Sequence, residues 1–168
     1  MAALISSQPY TAEVRRLCAD AVPSGVVVAP EPGAAVEHDF LLLRPHRTSH
    51  DALSPQVRRV GDHDLLVRFR NRDEQLVFEF WTNSFTGTPT SDDQSVDLLE
   101  RYCAEQFPGT LRRFRTRIRQ AVPSGADFSA SLRQTYVQDG ARMADVTVTC
   151  TRGDAVLAQA WATYALPD

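Results

Sequence analysis

The last third of the chain leaves few folds open. In "RMADVTVTC" Ala144, Val146, Val148 and Cys150 fall on one side, and Asp145, Thr147 and Thr149 on the other. That period of two is the mark of a half-buried strand. Asp139-Gly140 precedes it and Arg152-Gly153 follows, both hairpin signals. "DFSASLRQTYVQ", "RMADVTVTC" and "AVLAQAWATYAL" therefore predict a three-stranded antiparallel meander, and the "RGD" at Arg152–Asp154 reads as its turn. Just upstream, "LRRFRTRIRQAVPSG" places Phe114, Ile118 and Val122 on one face and Arg113, Arg115, Arg117 and Arg119 on the other.

Before these strands lies the clearest helix, "TPTSDDQSVDLLERYCAEQFPG", capped by Ser91 or Asp92 and stopped by Pro108-Gly109. At ~100° per residue, Val96, Leu99, Cys103 and Phe107 form an apolar stripe with Glu100 at its edge. Asp97, Arg101 and Glu105 take the solvent side. Earlier, "DLLVRFRN" and "QLVFEFWTN" flank a turn at Asn71–Glu74 and predict a hairpin, and "HDFLLL" a first strand. Thr11–Ala21 reads as a short helix with Thr11 as N-cap and Pro23 as its stop. "RPHRTSHDALSPQ", with His46, His50 and Asp51, reads as a polar loop. Strands, one long helix, then strands make an α+β chain.

Composition narrows the function classes. A chain of 168 residues with 43% hydrophobic content fits one domain with a real core. A net charge of −3 argues against a nucleic-acid partner. All 18 basic residues are Arg, which a GC-rich genome accounts for and which also suits phosphate recognition. Cys18, Cys103 and Cys150 have no metal-ligand spacing, so no metal is expected. With no apolar leader and no long apolar run, the expectation is a reduced, cytoplasmic, non-membrane protein.

The element order resembles the hotdog fold, an antiparallel sheet wrapped around one long central helix, here about residues 92–107, with an extra N-terminal helix. "IRQAVPSGADFSASLRQTYVQDGARMADVTVTCTRGDAVLAQAWATYAL" carries the likeness: a V-x-P-G-D-like turn, a hairpin and a closing "G-x-x-V/L-A-x-A" strand. It is similar to the acyl-thioester dehydratases and thioesterases of that superfamily. Their dehydratase signature F-x-G-H-x-P resembles "NSFTGTPTSDDQSVDLLERY", with Phe85, Gly87 and Pro89 present and Thr88 at the catalytic His position. Glu100 fills the helical Glu position.

The resemblance implies a single hotdog-like domain over 1–168, with 1–35 as N-terminal helix and extension. It implies catalysis at Glu100 and Thr88, and substrate contacts from Phe85, Gly87, Asp92 and Asp93. A Thr hydroxyl cannot replace imidazole as a base, so a dehydratase reading needs a His from a partner hotdog chain in a homodimer or heterodimer. A thioesterase, with Glu100 or an Asp at the helix start activating water, is the alternative. A silent acyl-binding subunit is another. No cofactor is implied beyond a substrate on phosphopantetheine or coenzyme A, with an acyl carrier protein as partner in fatty-acid-like or polyketide biosynthesis.

The residues keep other readings open. Glu100 against an apolar wall would have a raised pKa, as a general acid needs, or it reaches water or an Arg. Asp92 and Asp93 serve equally as helix-start charges. Arg113, Arg115 and Arg117 suit coenzyme A phosphates, an acidic carrier protein or plain solvent. Backbone N–H groups around Gly87-Thr88 lead into a helix N-terminus and suit a thioester carbonyl. Cys103, on the apolar stripe, is a poor nucleophile. His38-Asp39 and His63-Asp64 look like dyads, but neighbours on a strand face opposite ways.

"AVPSG" occurs at 21–25 and at 121–125. The flanking sequences diverge at once, so duplication is the weaker reading and one site per chain is expected, between Thr88 and Glu100.

Overall fold

The computed structural model of the protein describes residues 10–43 and 52–168. The predicted loop residues His46, His50 and Asp51 lie outside the described residues. The elements are α1 (Tyr10–Ala21), β1 (Val36–Leu42), β2 (Ser54–Val60), β3 (Asp64–Arg70), β4 (Leu76–Thr82), α2 (Ser91–Gln106), β5 (Thr110–Ile118), β6 (Asp127–Gln138), β7 (Ala141–Arg152) and β8 (Ala155–Ala165). All eight strands join one antiparallel sheet in the order β2-β3-β4-β1-β5-β8-β7-β6. A long antiparallel sheet with two helices is what the hotdog likeness implied.

That order carries a repeat. Each half of the chain is a helix followed by four strands, and β1 and β5 meet at the middle of the sheet. Going outward from this seam, both halves present their first, fourth, third and second strand. The topology is thus doubled, although "AVPSG" does not mark the doubling. Its first copy follows α1 and its second follows β5, which are not equivalent places. Both copies nevertheless build the same turn, with Val26 N–H donating to Pro23 O (3.2 Å) and Ala126 N–H to Pro123 O (3.3 Å). Gly25 (φ 89°) and Gly125 (φ 82°) take the left-handed position that such turns reserve for glycine.

One core runs across both halves, on the face where α1 and α2 pack side by side. At the seam Phe40 pairs with Phe114, and neither is exposed. Burying such a ring contributes about 1.5–3 kcal/mol. From α1 come Val14 and Cys18, from α2 Val96, Leu99 and Cys103, and from β7 Val146, Val148 and Cys150. The predicted meander, its turns and the β3–β4 hairpin are all present. The φ of Asp139 (50°) and Gly140 (79°) is that of a primed hairpin turn.

Three local expectations change. Strand β2 falls where a loop was expected over its first residues, and it pairs with β3 along its whole length. Thr90, not Ser91 or Asp92, caps α2: its hydroxyl accepts from Asp93 N–H (3.3 Å) and the Asp93 carboxylate accepts from Thr90 N–H (2.9 Å). This reciprocal pair satisfies two orphan donors at once. Strand β5 ends at Ile118, so Val122 is not a strand residue; its N–H donates to the buried Ser95 hydroxyl at 2.8 Å, which ties the second "AVPSG" to α2.

Candidate functional site: a cleft between the helices

Helix α1 starts on a residue from the other half of the chain. Tyr10 N–H (2.7 Å), Thr11 N–H (3.0 Å) and the Thr11 hydroxyl (2.5 Å) all donate to the Glu100 carboxylate. The first N–H groups of a helix have no intrahelical partner, and the dipole there favours a negative charge. Glu100 supplies both needs from α2. Thr11 is therefore inside the helix and is not its cap. Burial raises the Glu100 carboxyl above its ordinary value, opposed by the hydrogen bonds from Thr11 and Tyr10 and by Arg15. Arg15 makes a second tie from α1, with Nη1 3.5 Å from Asp93 and Nη2 on the Asp97 carboxylate.

Beside these ties a cleft of about 390 Å³ opens between α1, the N-terminus of α2 and the 84–90 loop. Its walls include Ala12, Arg15, Phe80, Phe85 and Thr88. The loop is pinned at its root: Phe85 and Val28 exchange backbone bonds (2.9 and 3.0 Å), and Asn83 bonds to Glu37 and Ala35 of the first half. Gly87 (φ 85°) turns the chain, and Thr86 Oγ1 accepts weakly from Thr88 N–H at 3.4 Å.

Phe85, Gly87, Thr88, Asp92 and Asp93, the residues singled out around the helix start, all line this cleft. Asp92 has its carboxyl raised, first by burial and then by Asp93. Asp93 is held by the cap and by Arg15. Glu100 is not brought to the cleft: it lies a turn beyond Val96, and its oxygens are taken by α1. The structure thus places Glu100 at the start of α1, ninety positions away in sequence, and Thr88 in the cleft wall.

Arg113, Arg115 and Arg117 stand on the opposite face of the sheet, away from the cleft, because the pleat that turns Phe114 and Thr116 inward turns them outward. Arg113 forks onto Asp39 (2.8 and 3.2 Å), and Arg117 Nε lies 3.0 Å from Glu37. The guanidinium groups of Arg115 and Arg117 lie 5.6 and 5.7 Å from the centre of the Trp161 ring. Cys103 is buried, and burial pushes its thiol up to about 11, which suits an inert side chain.

One further residue lines the cleft without the dyad partner that its sequence neighbour suggested. His38 points inward from β1, lines the cleft and is only 3% exposed. Its Nδ1 lies 3.4 Å from Thr116 Oγ1, and its ring stacks near Phe40 and Phe80. Burial, followed by Arg15, pushes its pKa down to about 3. Asp39 faces away to Arg113, so the two are no dyad. A polar His38 on the same strand face as the apolar Phe40 and Leu42 was the signal available in sequence. His63 is exposed, and its ring nitrogens are directed to Ala29 O (2.8 Å) and to the Glu31 carboxylate (4.0 Å). Among the described residues no group of His, Cys, Asp or Glu is arranged to hold a metal ion, and no helix is long and apolar enough to cross a membrane.

No family model and no curated protein matches the chain. Solved structures do. A MaoC-like dehydratase superposes with a TM-score of 0.56 at 14% identity, covering 96% of this chain and 82% of its own. A candidate thioesterase II from Thermobifida fusca gives 0.51 at 10% identity, over 98% and 90%. The tesB protein of Mycobacterium avium subsp. paratuberculosis gives 0.50 at 10% identity, over 81% and 80%. Identities this low speak to architecture and not to reaction: the chain has the hotdog fold.

Proposed function

We propose that the chain binds an acyl thioester in the cleft between α1 and α2 and acts on it as a dehydratase or hydratase. The observation that carries this reading is the cleft itself. Apolar walls from Phe80 and Phe85 adjoin the backbone of Gly87-Thr88 and the start of α2, so an acyl chain and a polarised carbonyl fit side by side. The dehydratase and thioesterase neighbours support thioester chemistry of this general kind. In this reading α2 is the central helix of the fold, and Asp92, whose raised carboxyl reaches the cleft, is the acid–base group. Glu100 serves by holding α1 against α2. The substrate arrives on phosphopantetheine or coenzyme A, in a cytoplasmic pathway of fatty-acid or polyketide type. Thr88 still lacks an imidazole, so a partner hotdog chain in a homodimer or heterodimer is part of this reading.

A thioesterase is the second reading, because the same Asp92 can align water at a carbonyl. The isolated chain offered crotonyl-CoA and octanoyl-CoA separates the two. Loss of the enoyl absorbance supports hydration, and release of free thiol supports hydrolysis. Binding without either points to a subunit that needs its partner. No binding of either thioester overturns the reading.

A further inference from the structure

We infer that His38 is the polar group at the floor of the cleft that meets the ligand, an uncharged imidazole that donates a hydrogen bond to the carbonyl of a bound acyl thioester. The inference rests on the thioester reading above, and deepens it by making the recognising imidazole one of this chain's own.

The inner face of β1 and β5 is apolar at Phe40, Leu42, Phe114 and Ile118. His38 and Thr116 are the exceptions, and they sit directly opposite one another across the seam. A buried polar pair weakens such a face unless its hydrogen-bonding capacity is used. Thr116 satisfies one side of the ring, with Oγ1 3.4 Å from Nδ1. When that hydroxyl donates, the ring proton stays on Nε2, at the opposite side of the ring. Phe40 (centroids 6.2 Å, planes 7° apart) and Phe80 (5.8 Å, 16°) fix the ring plane, so little order is lost when a ligand arrives.

The surroundings keep this ring neutral. Burial acts first and Arg15 of α1 second, while Phe80 of β4 and Thr116 of β5 bring no charge. On α2 the Asp93 and Asp97 carboxylates are engaged by Arg15. Glu37 and Asp39, neighbours on β1, face the other side of the sheet, where Arg117 and Arg113 hold them. An imidazole held so far below its ordinary value is a feeble proton acceptor at neutral pH. It remains a good fixed donor, of the kind that polarises a carbonyl without moving a proton onto it.

The test uses the full chain labelled with ¹⁵N-histidine and two probes. One is an octanoyl-CoA analogue in which a methylene replaces the thioester sulfur and the carbonyl is kept. The other is S-octyl-CoA, which has no carbonyl. The expected result is that the ketone analogue shifts the His38 Nε2–H resonance and binds about ten-fold tighter, one hydrogen bond's worth. In His38→Phe, which keeps the stack, that preference falls to about two-fold, the share left to the Gly87-Thr88 backbone, while S-octyl-CoA binds as before. Thr116→Val, which frees the tautomer, reduces it to about three-fold. The Nε2–H signal persists from about pH 5.5 to 8.5, as a neutral ring requires.

If both probes bind but the ring shift is missing, the His38 inference is overturned and the cleft reading stands. A full ten-fold preference surviving in His38→Phe has the same consequence. Should neither probe bind the wild-type chain, the thioester reading fails and takes the inference with it. The ring shift is read on wild-type protein, so a variant that does not fold leaves a decisive measurement in place.

Discussion

The two halves of the sheet share one topology and differ in how they are finished. Strands β1–β4 are each 7 residues long, whereas β5–β8 run to 9, 12, 12 and 11. Helix α2 has 16 residues and closes its own N-terminus with Thr90 and Asp93. Helix α1 has 12 and begins on Glu100, a residue of the other half. The second half is therefore built largely from local signals, and the first is completed by the second. The cleft lies where this dependence is greatest, between the borrowed helix start and the self-made one.

The largest blow to the comparison is at the seam. Phe114→Ala removes a fully buried ring that both halves share and is expected to cost about 3–5 kcal/mol. If the halves are one cooperative unit, urea unfolding followed by far-UV signal and by Trp fluorescence stays coincident in the variant. Two separated transitions would mean that the halves are independent.

Glu100→Gln comes next, at about 1–3 kcal/mol, because one of the two carboxyl oxygens that accept from α1 becomes an NH2 group, a donor facing a donor. Hydrogen exchange is expected to quicken in α1 and to stay nearly unchanged in β6–β8. The sign with pH follows from burial. The folded carboxyl is raised above its ordinary 4.5, so the contribution of Glu100 is fully present below that value and declines as pH rises through the folded one. The stability gap between wild type and Glu100→Gln should therefore narrow on going from acid towards neutral pH. A gap that widens over that range would contradict the burial argument.

Thr90→Ala is smaller, about 1 kcal/mol, and confined to the first turn of α2. Its exchange signature should leave α1 protected, the reverse of the Glu100 variant. The mildest change is on the outer face. Asp145 is held below its ordinary 3.8: burial raises it, but bonds from Gln134 (2.7 Å), Thr163 (2.8 Å) and Tyr136 (3.1 Å) prevail. Its stabilisation is present above 3.8 and is lost as pH falls through the depressed value, opposite in sign to Glu100. Asp145→Asn should cost only a few tenths of a kcal/mol in this solvent-screened setting, seen as a flatter acid limb of the stability curve.

What the sequence makes legible divides along the same line. The β6–β8 meander, the β3–β4 hairpin, the body of α2 and the outward Arg row all follow from periodicity and turn chemistry, which are local. Strand β2 could not be read that way. As an edge strand it keeps only Val57 half-buried, so "SPQVRRV" carries no alternation. The Glu100 contact and the cleft are non-local by nature, since each joins residues that only the folded sheet brings together. Even the repeat is written in strand order and not in residues, and so one string, "AVPSG", pointed to the wrong level. Phe85, Gly87, Thr88 and the helix-start carboxylates were found because a resemblance named them. His38 was weighed only as half of a dyad, which pleating rules out.

The borrowed start of α1 also orders events during synthesis. Tyr10 and Thr11 leave the ribosome some ninety residues before the carboxylate that secures them. A 12-residue helix is too short to hold in water alone. The nascent first half must therefore wait, with β1 unpaired along the side that β5 will cover. Seam and helix are then sealed in quick succession, as Glu100 and β5 emerge. A pause or truncation before residue 100 would expose an unpaired strand edge, and the cleft can form only once Glu100 and β5 have been made.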